Sequence, residues 1–190
     1  MQIQQAKISD LALYEMIPIS FVVKAVMEVS GDSPESFALS KKPVSKPWLK
    51  DYDTYNSPSG LLARWDLSNW AVFLASHDSK PVGGCIIAHN TPGVNMLQGR
   101  ADLAVLWDIR VAPNCRGRSV GRRLFEAAIT WAQSQGCIEM HIETQNINVP
   151  ACHFYQRMGC TLLRVVRDAY DKSPGEHQLI WCKALTRNTL

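Results

Sequence analysis

No segment of the sequence approaches the ~20 consecutive apolar residues that cross a bilayer as a helix. The opening residues are polar and acidic where a secretory signal would place a basic stretch and an apolar run. A cytoplasmic protein with no membrane partner is expected. The six cysteines, at 85, 115, 137, 152, 160 and 182, include no pair at Cys-x-x-Cys spacing, which removes the usual signature of a zinc site or redox pair. Their scatter through regular segments does not make a disulfide framework either, so reduced thiols and no metal are expected. Charge of one sign is not concentrated: the net charge is +3 with a pI near 8.5, well short of the positive field that nucleic-acid binding uses. Repeats and low-complexity tracts are missing too. What is present is an ordinary globular composition, 46% hydrophobic and 19% charged over 190 residues, sized for a single domain with a buried core.

Residues 1–60 are poor in periodic runs and form the variable part of that domain. Pro18 to Val29 reads as a strand. Ser30 to Gly60, with Pro34, Pro43, Pro47 and Pro58 among Trp48, Tyr52 and Tyr55, reads as strand fragments and loops. From Trp70 the pattern sharpens. Trp70 to Ser76 and Pro81 to His89 are apolar runs separated by His77-Asp78-Ser79-Lys80, which predicts an antiparallel hairpin. Ala101 to Val111 predicts a long strand with Leu103, Val105, Trp107, Ile109 and Val111 on one face and Asp102, Asp108 and Arg110 on the other. Val120, Leu124, Ala127, Ala128 and Trp131 fall at helical spacing, and Gly136 stands where a helix-terminating glycine belongs. A strand at Ile138 to Thr144, a helix at Val149 to Met158, and strands at Thr161 to Arg167 and His177 to Ala184 complete an α/β (α+β) chain with a mostly antiparallel sheet.

Chemistry concentrates where the long strand gives way to Arg116-Gly117-Arg118-Ser119-Val120-Gly121 and then to a helix. A helix N-terminus offers unpaired N–H groups and partial positive charge, and so attracts anions. Glycines let the backbone approach a ligand, and arginines add charge-assisted hydrogen bonds to phosphate oxygens. The loop lacks the lysine followed by serine or threonine of a P-loop and the glycine spacing of a dinucleotide fold. On its own it would serve any phosphate ligand, or be an ordinary turn.

Trp107-Asp108-Ile109-Arg110-Val111-Ala112-Pro113, followed by Arg116 to Gly121, resembles the coenzyme A motif of the GNAT superfamily of N-acetyltransferases: Arg or Gln, two residues, Gly, any residue, Gly or Ala. Asn148, Ala151, Phe154, Tyr155 and Gly159 resemble the same family's second motif. The likeness covers about residues 101–165, and Glu143-Thr144-Gln145 with Lys50-Asp51-Tyr52-Asp53 looks most like the streptothricin acetyltransferase branch. Two positions depart from the pattern. Ser119 occupies the first motif glycine, where it would crowd a pyrophosphate if the backbone needs a glycine conformation, and Cys160 follows Gly159 in place of an aromatic.

The resemblance implies a GNAT fold, with helices flanking a sheet that splays between the strands at about 101–111 and 138–144. It implies acetyl-coenzyme A as cosubstrate, held by main-chain groups of Ile109, Arg110 and Val111, by Arg116, Gly117, Arg118, Ser119, Val120, Gly121 and Arg122, and by Asn148, Ala151 and Tyr155. It also implies direct attack by a primary amine on the thioester, with Tyr155 protonating the leaving thiolate and Asp108 or Glu143 taking the amine proton. The expected partner is a small-molecule amine, a cationic antibiotic of streptothricin type if Asp51, Asp53 and Asp66 line its site. A peptide N-terminus is the alternative acceptor, and a non-catalytic coenzyme A-binding module the alternative class. A monomer or homodimer is expected.

Overall fold

A computed structural model describes residues 1–54, 57–171 and 173–185; Tyr55 lies outside them. In chain order the elements are β1 (Gln2–Ala6), α1 (Leu11–Glu15), β2 (Phe21–Ser30), β3 (Ala38–Lys50), β4 (Ala71–His77), β5 (Lys80–His89), β6 (Leu103–Val111), α2 (Val120–Ser134), β7 (Glu139–Gln145), α3 (Val149–Arg157), β8 (Thr161–Val166) and β9 (Gln178–Ala184), with short 3-10 turns between. Two compact units form. One holds residues 1–20, 51–140 and 185–190; the other holds 21–50 and 141–184. Among the described residues no helix is long and apolar enough to cross a membrane.

In the first unit the strand order is β1-β4-β5-β6, antiparallel throughout. The β4–β5 hairpin turns on Asp78 (φ 49) and Ser79 (φ 60); both are left-handed, as a two-residue turn requires to match the twist of its strands. On one face Leu11, Tyr14 and Ile17 pack with Trp70, Val72, Leu74, Ile86, Ala88 and Val105. On the other, α2 buries Val120, Leu124 and Ala128 of the predicted stripe together with Phe125 and Ala132, while Ala127 and Trp131 are half-buried. Gly136 (φ 81) stands just beyond its end.

Consecutive glycines in β5 allow both faces to close. A Cβ on Gly84 would stand 2.6 Å from the Tyr14 ring, and one on Gly83 would stand 2.9 Å from Val120 Cγ1 and 3.1 Å from the Arg110 carbonyl. One glycine thus admits α1 and the other the N-terminus of α2.

The single-face reading of β6 fails at a bulge. Ala88 pairs with Val105 and Ile87 with Leu106, but Ile86 pairs with Asp108, so Trp107 is the extra residue. The bulge restarts the alternation. Val105, Trp107, Asp108 and Arg110 turn towards α1, while Ile109, opposite Cys85, turns towards α2.

In the second unit β7, β9 and β8 lie in that order, and β2 and β3 form a separate antiparallel ribbon. Where sequence alone reads fragments, Ala38–Lys50 is one 13-residue strand. It accommodates its prolines because it pairs on one side only and because the register jumps, from Val23 opposite Trp48 to Ala25 opposite Pro43. Asn146 ties the unit together: its N–H and Oδ1 bond the main chain of His177 (3.0 and 2.8 Å), while its carbonyl and Nδ2 bond that of Met27 (2.8 and 3.3 Å). Lys50 Nζ meets the Glu176 carboxylate at 2.8 and 2.9 Å with both side chains nearly buried.

Candidate functional site

In the first unit β6 ends at Val111, a turn at Pro113–Cys115 follows, and α2 begins at Val120. The first helical bond runs from Arg123 N–H to Ser119 carbonyl at 3.1 Å. Among the described residues, the N–H groups of residues 117–122 donate to no backbone or side-chain acceptor. They make a ready concavity for an anion at the positive end of a 15-residue helix. Gly117 (φ 74) and Ser119 (φ 61) both take the left-handed conformation that shapes it. The position therefore does have a glycine-type backbone, and Ser119 adopts it without using its hydroxyl as a cap.

The arginines divide in role. Arg116 donates from Nε to the Val111 carbonyl (3.0 Å) and from Nη2 to the Ser20 carbonyl (3.2 Å), so it clasps the entrance of the loop; partial burial lowers its pKa. Arg122 pairs with Glu126 at 2.8 Å on the helix surface. Arg118 has no side-chain partner among the described residues and is free to meet a phosphate.

Alternation along β6 decides which way its main-chain groups point. Ala112 N–H bonds Val82 carbonyl in β5 at 2.9 Å, so Arg110 faces β5 as well, and Ile109 and Val111 turn their N–H and C=O groups the other way. The Arg110 side chain is 2% exposed. It lies over the Tyr14 ring at 4.9 Å and donates to both Asp53 oxygens at 3.0 Å, to Ile17 carbonyl at 3.2 Å and to Asp108 Oδ2. Asp108 Oδ1 is buried with no hydrogen-bond partner among the described residues. Burial raises the Asp108 pKa, against the pull of Arg110. Of the three carboxylates considered for steering a cation, Asp53 is thus spent on Arg110, Asp51 accepts the Asp53 N–H (3.1 Å) and Asp66 the Ser68 N–H (2.9 Å).

In the second unit Asn148 caps α3, its Oδ1 accepting Ala151 N–H at 3.2 Å. Tyr155 is 4% exposed, with Phe154 and Trp181 ring centroids 5.4 and 6.1 Å away. Glu143 on β7 accepts Tyr170 Oη at 2.7 Å on one oxygen and Gln178 Nε2 at 2.8 Å on the other. Neither donor is signalled by periodicity or motif, since Tyr170 lies in an irregular connection and Gln178 opens a strand. All six cysteines are free. Burial pushes Cys137 up to about 11 and Cys152 and Cys160 up to about 12, which leaves those thiols protonated and poorly suited to a thiol-acyl intermediate.

A family model described as the acetyltransferase (GNAT) family matches residues 36–160. A streptothricin acetyltransferase of Streptomyces lavendulae is 28% identical over 184 residues, covering 94% of this chain and 92% of its own. The crystal structure of nourseothricin acetyltransferase is 27% identical, covers 97% of this chain and 98% of its own, and superposes with a TM-score of 0.75. A structure from Bacillus anthracis in complex with acetyl coenzyme A shares the fold at 22% identity, with a TM-score of 0.77 over 96% of this chain and 98% of its own.

Proposed function

This chain belongs to the GNAT family of acetyltransferases, and from that premise we propose that it moves the acetyl group of acetyl-coenzyme A directly to a primary amine of a small cationic molecule of the streptothricin type. The observation that carries the cofactor half of this reading is the run of unengaged N–H groups at residues 117–122, placed directly after β6. The acceptor half rests on likeness to streptothricin and nourseothricin acetyltransferases. The family match runs through both units, and we treat residues 1–190 as a single acetyltransferase domain.

In this reading the pyrophosphate takes the N–H groups of Gly117, Ser119, Val120, Gly121 and Arg122, with Arg118 adding charge and Arg116 holding the loop in shape. The pantetheine arm bonds the main chain of β6 between Ile109 and Val111, and Asn148, Ala151 and Tyr155 serve its thiol end. The neutral amine attacks the thioester carbonyl, a C–N bond forms, and the C–S bond breaks. Tyr155 gives its proton to the leaving thiolate; a phenol of pKa about 10 stays protonated at neutral pH and can donate to a thiolate whose acid lies near about 8.5. Glu143 takes the proton lost by the amine, directly or through one water, because its carboxylate carries neutral donors only. Asp108, already bound to Arg110, is the second candidate.

Thiol release from acetyl-coenzyme A, measured across streptothricin, polyamines, amino acids and peptide N-termini, tests the reading. Streptothricin should turn over best, and Tyr155→Phe should lower kcat by about 10²-fold. Tight coenzyme A binding without thiol release from any amine would instead mean a binding module. The pH profile separates the two bases. Burial raises the Asp108 pKa, so a rate that needs ionised Asp108 falls as pH drops through a value above the ordinary carboxylate range, and that limb disappears in Asp108→Asn. If Glu143 is the base, Asp108→Asn leaves the profile unchanged and Glu143→Gln lowers kcat.

A further inference from the structure

Glu143 belongs to a directed chain of hydrogen bonds within the second unit. Gln145 Nε2 donates to Tyr170 Oη at 3.2 Å, Tyr170 Oη donates to Glu143 Oε1 at 2.7 Å, and Gln178 Nε2 donates to Glu143 Oε2 at 2.8 Å. An amide NH2 only donates, and a phenol has one hydrogen to give. With its oxygen already accepting from Gln145, Tyr170 delivers that hydrogen to the carboxylate. Both oxygens of Glu143 are therefore acceptors in this network.

No lysine or arginine pairs with Glu143 among the described residues. The contrast with the other partly buried carboxylates is direct: Glu176 is matched by Lys50, and Asp53 and Asp108 by Arg110. A carboxylate offers about four acceptor positions, and two are filled here. The remaining two, with a whole negative charge, are left for a donor that brings positive charge.

The connection that carries Tyr170 is itself tied down. Asp168 N–H donates to His177 Nδ1 at 3.1 Å, Gly175 N–H donates to Asp168 Oδ1 at 3.0 Å, and His177 N–H donates to Asn146 Oδ1 at 2.8 Å. Asn146 follows Gln145 at the end of β7. The phenol thus reaches Glu143 from a connection anchored to the same strand.

We propose that Tyr170 and Gln178 are positioning residues that hold Glu143 in one rotamer as the anchor for a protonated amino group of a polycationic acceptor. This rests on the acetyltransfer reading above, and names the side chains through which such an acceptor is recognised. The anchored ammonium is that of the reacting amine before it yields its proton to Glu143, so the recognised chemistry is an alkylammonium.

The test is a double-mutant cycle with streptothricin as acceptor. Tyr170→Phe should raise the acceptor KM about tenfold, the scale of one charge-assisted hydrogen bond. Coenzyme A affinity and melting temperature should stay at wild-type values. In a Glu143→Gln background the same Tyr170→Phe change should have no further effect, because the group it positions has lost its charge. Gln178→Met, which is close in shape and lacks the amide donor, should weaken acceptor binding, and Gln178→Asn should retain part of the wild-type affinity. An unchanged acceptor KM in Tyr170→Phe, or a loss of equal size in both backgrounds, overturns the proposal. Calorimetric titration of streptothricin into wild type and Glu143→Gln provides a readout independent of turnover. Equal affinity for the two sinks the anchor assignment even if acetyl transfer is real, whereas absent thiol release with a Glu143-dependent affinity sinks the acetyltransfer reading alone.

Discussion

Ser119 carries a conformational cost that glycine would not. Its φ of 61 puts a side chain with a Cβ into the left-handed region, which costs roughly 1–2 kcal/mol for an ordinary residue. Glycine removes that penalty and returns about 0.5–1 kcal/mol of it through the entropy of a freer unfolded chain. What a pyrophosphate needs at this position is the N–H, and both residues have one. Ser119→Gly should therefore raise the stability of the protein by up to about 1 kcal/mol, a rise in melting temperature of a few degrees for a chain of this size. Isothermal titration should find the coenzyme A affinity within a few-fold of wild type. A lower melting temperature would mean that the serine contributes packing or a hydrogen bond to the folded loop. A large loss of affinity at a raised melting temperature would mean that its hydroxyl, unused as a helix cap, bonds the phosphate.

The position of the anion loop depends on how closely α2 approaches β5, and that distance is set by Gly83. A Cβ there would press on Val120 Cγ1 at 2.9 Å and on the Arg110 carbonyl at 3.1 Å; Val120 is branched and begins the helix, so it has little freedom to retreat. Gly83→Ala should move the helix start, cost about 1–3 kcal/mol by overpacking, and weaken coenzyme A binding although residue 83 touches no ligand in the proposed site. Unchanged affinity would show that the loop is held by Arg116 and its own turn rather than by α2. This constraint is not legible in the sequence, where Gly83-Gly84 reads as two weak strand residues. The periodic elements were legible: α2 by its apolar stripe, β4 and β5 by their flanking turn, and the loop with α3 by two spaced motifs. The bulge at Trp107 was not, because an inserted residue looks like any other until its partner strand is known, and it alone moves Asp108 and Arg110 onto the α1 side. β1, α1 and the full length of β3 also escaped. Five residues are too few for helical periodicity to register, and the prolines of β3 are tolerable only because one of its edges is unpaired. At the proposed site, Tyr155, Glu143 and the loop residues are read from sequence motifs, whereas Tyr14, Tyr170 and Gln178 make long-range contacts that no spacing encodes.

At the scale of the whole chain, the residues assigned to the cofactor are divided between two units that each fold from non-contiguous segments: the loop at 116–122 in one, Asn148, Ala151 and Tyr155 in the other. A ligand that binds only the folded state stabilises it by mass action, about 2.7 kcal/mol at a hundredfold excess over Kd, which corresponds to a rise of about 5–10 °C in melting temperature for a chain of this size. Coenzyme A should produce that rise. Hydrogen exchange then locates its source, because the N–H groups of residues 117–122 have no acceptor among the described residues and should exchange quickly until a phosphate takes them. Adenosine diphosphate carries the pyrophosphate without the pantetheine arm, so it should slow exchange at 117–122 and leave residues 148–155 as they were. Full-length coenzyme A should slow exchange in both segments. If it protects the loop and not α3, the second motif is a structural helix of its own unit and Tyr155 loses its place at the thioester. Protection of α3 without the loop would remove the anion site from which the cofactor assignment begins.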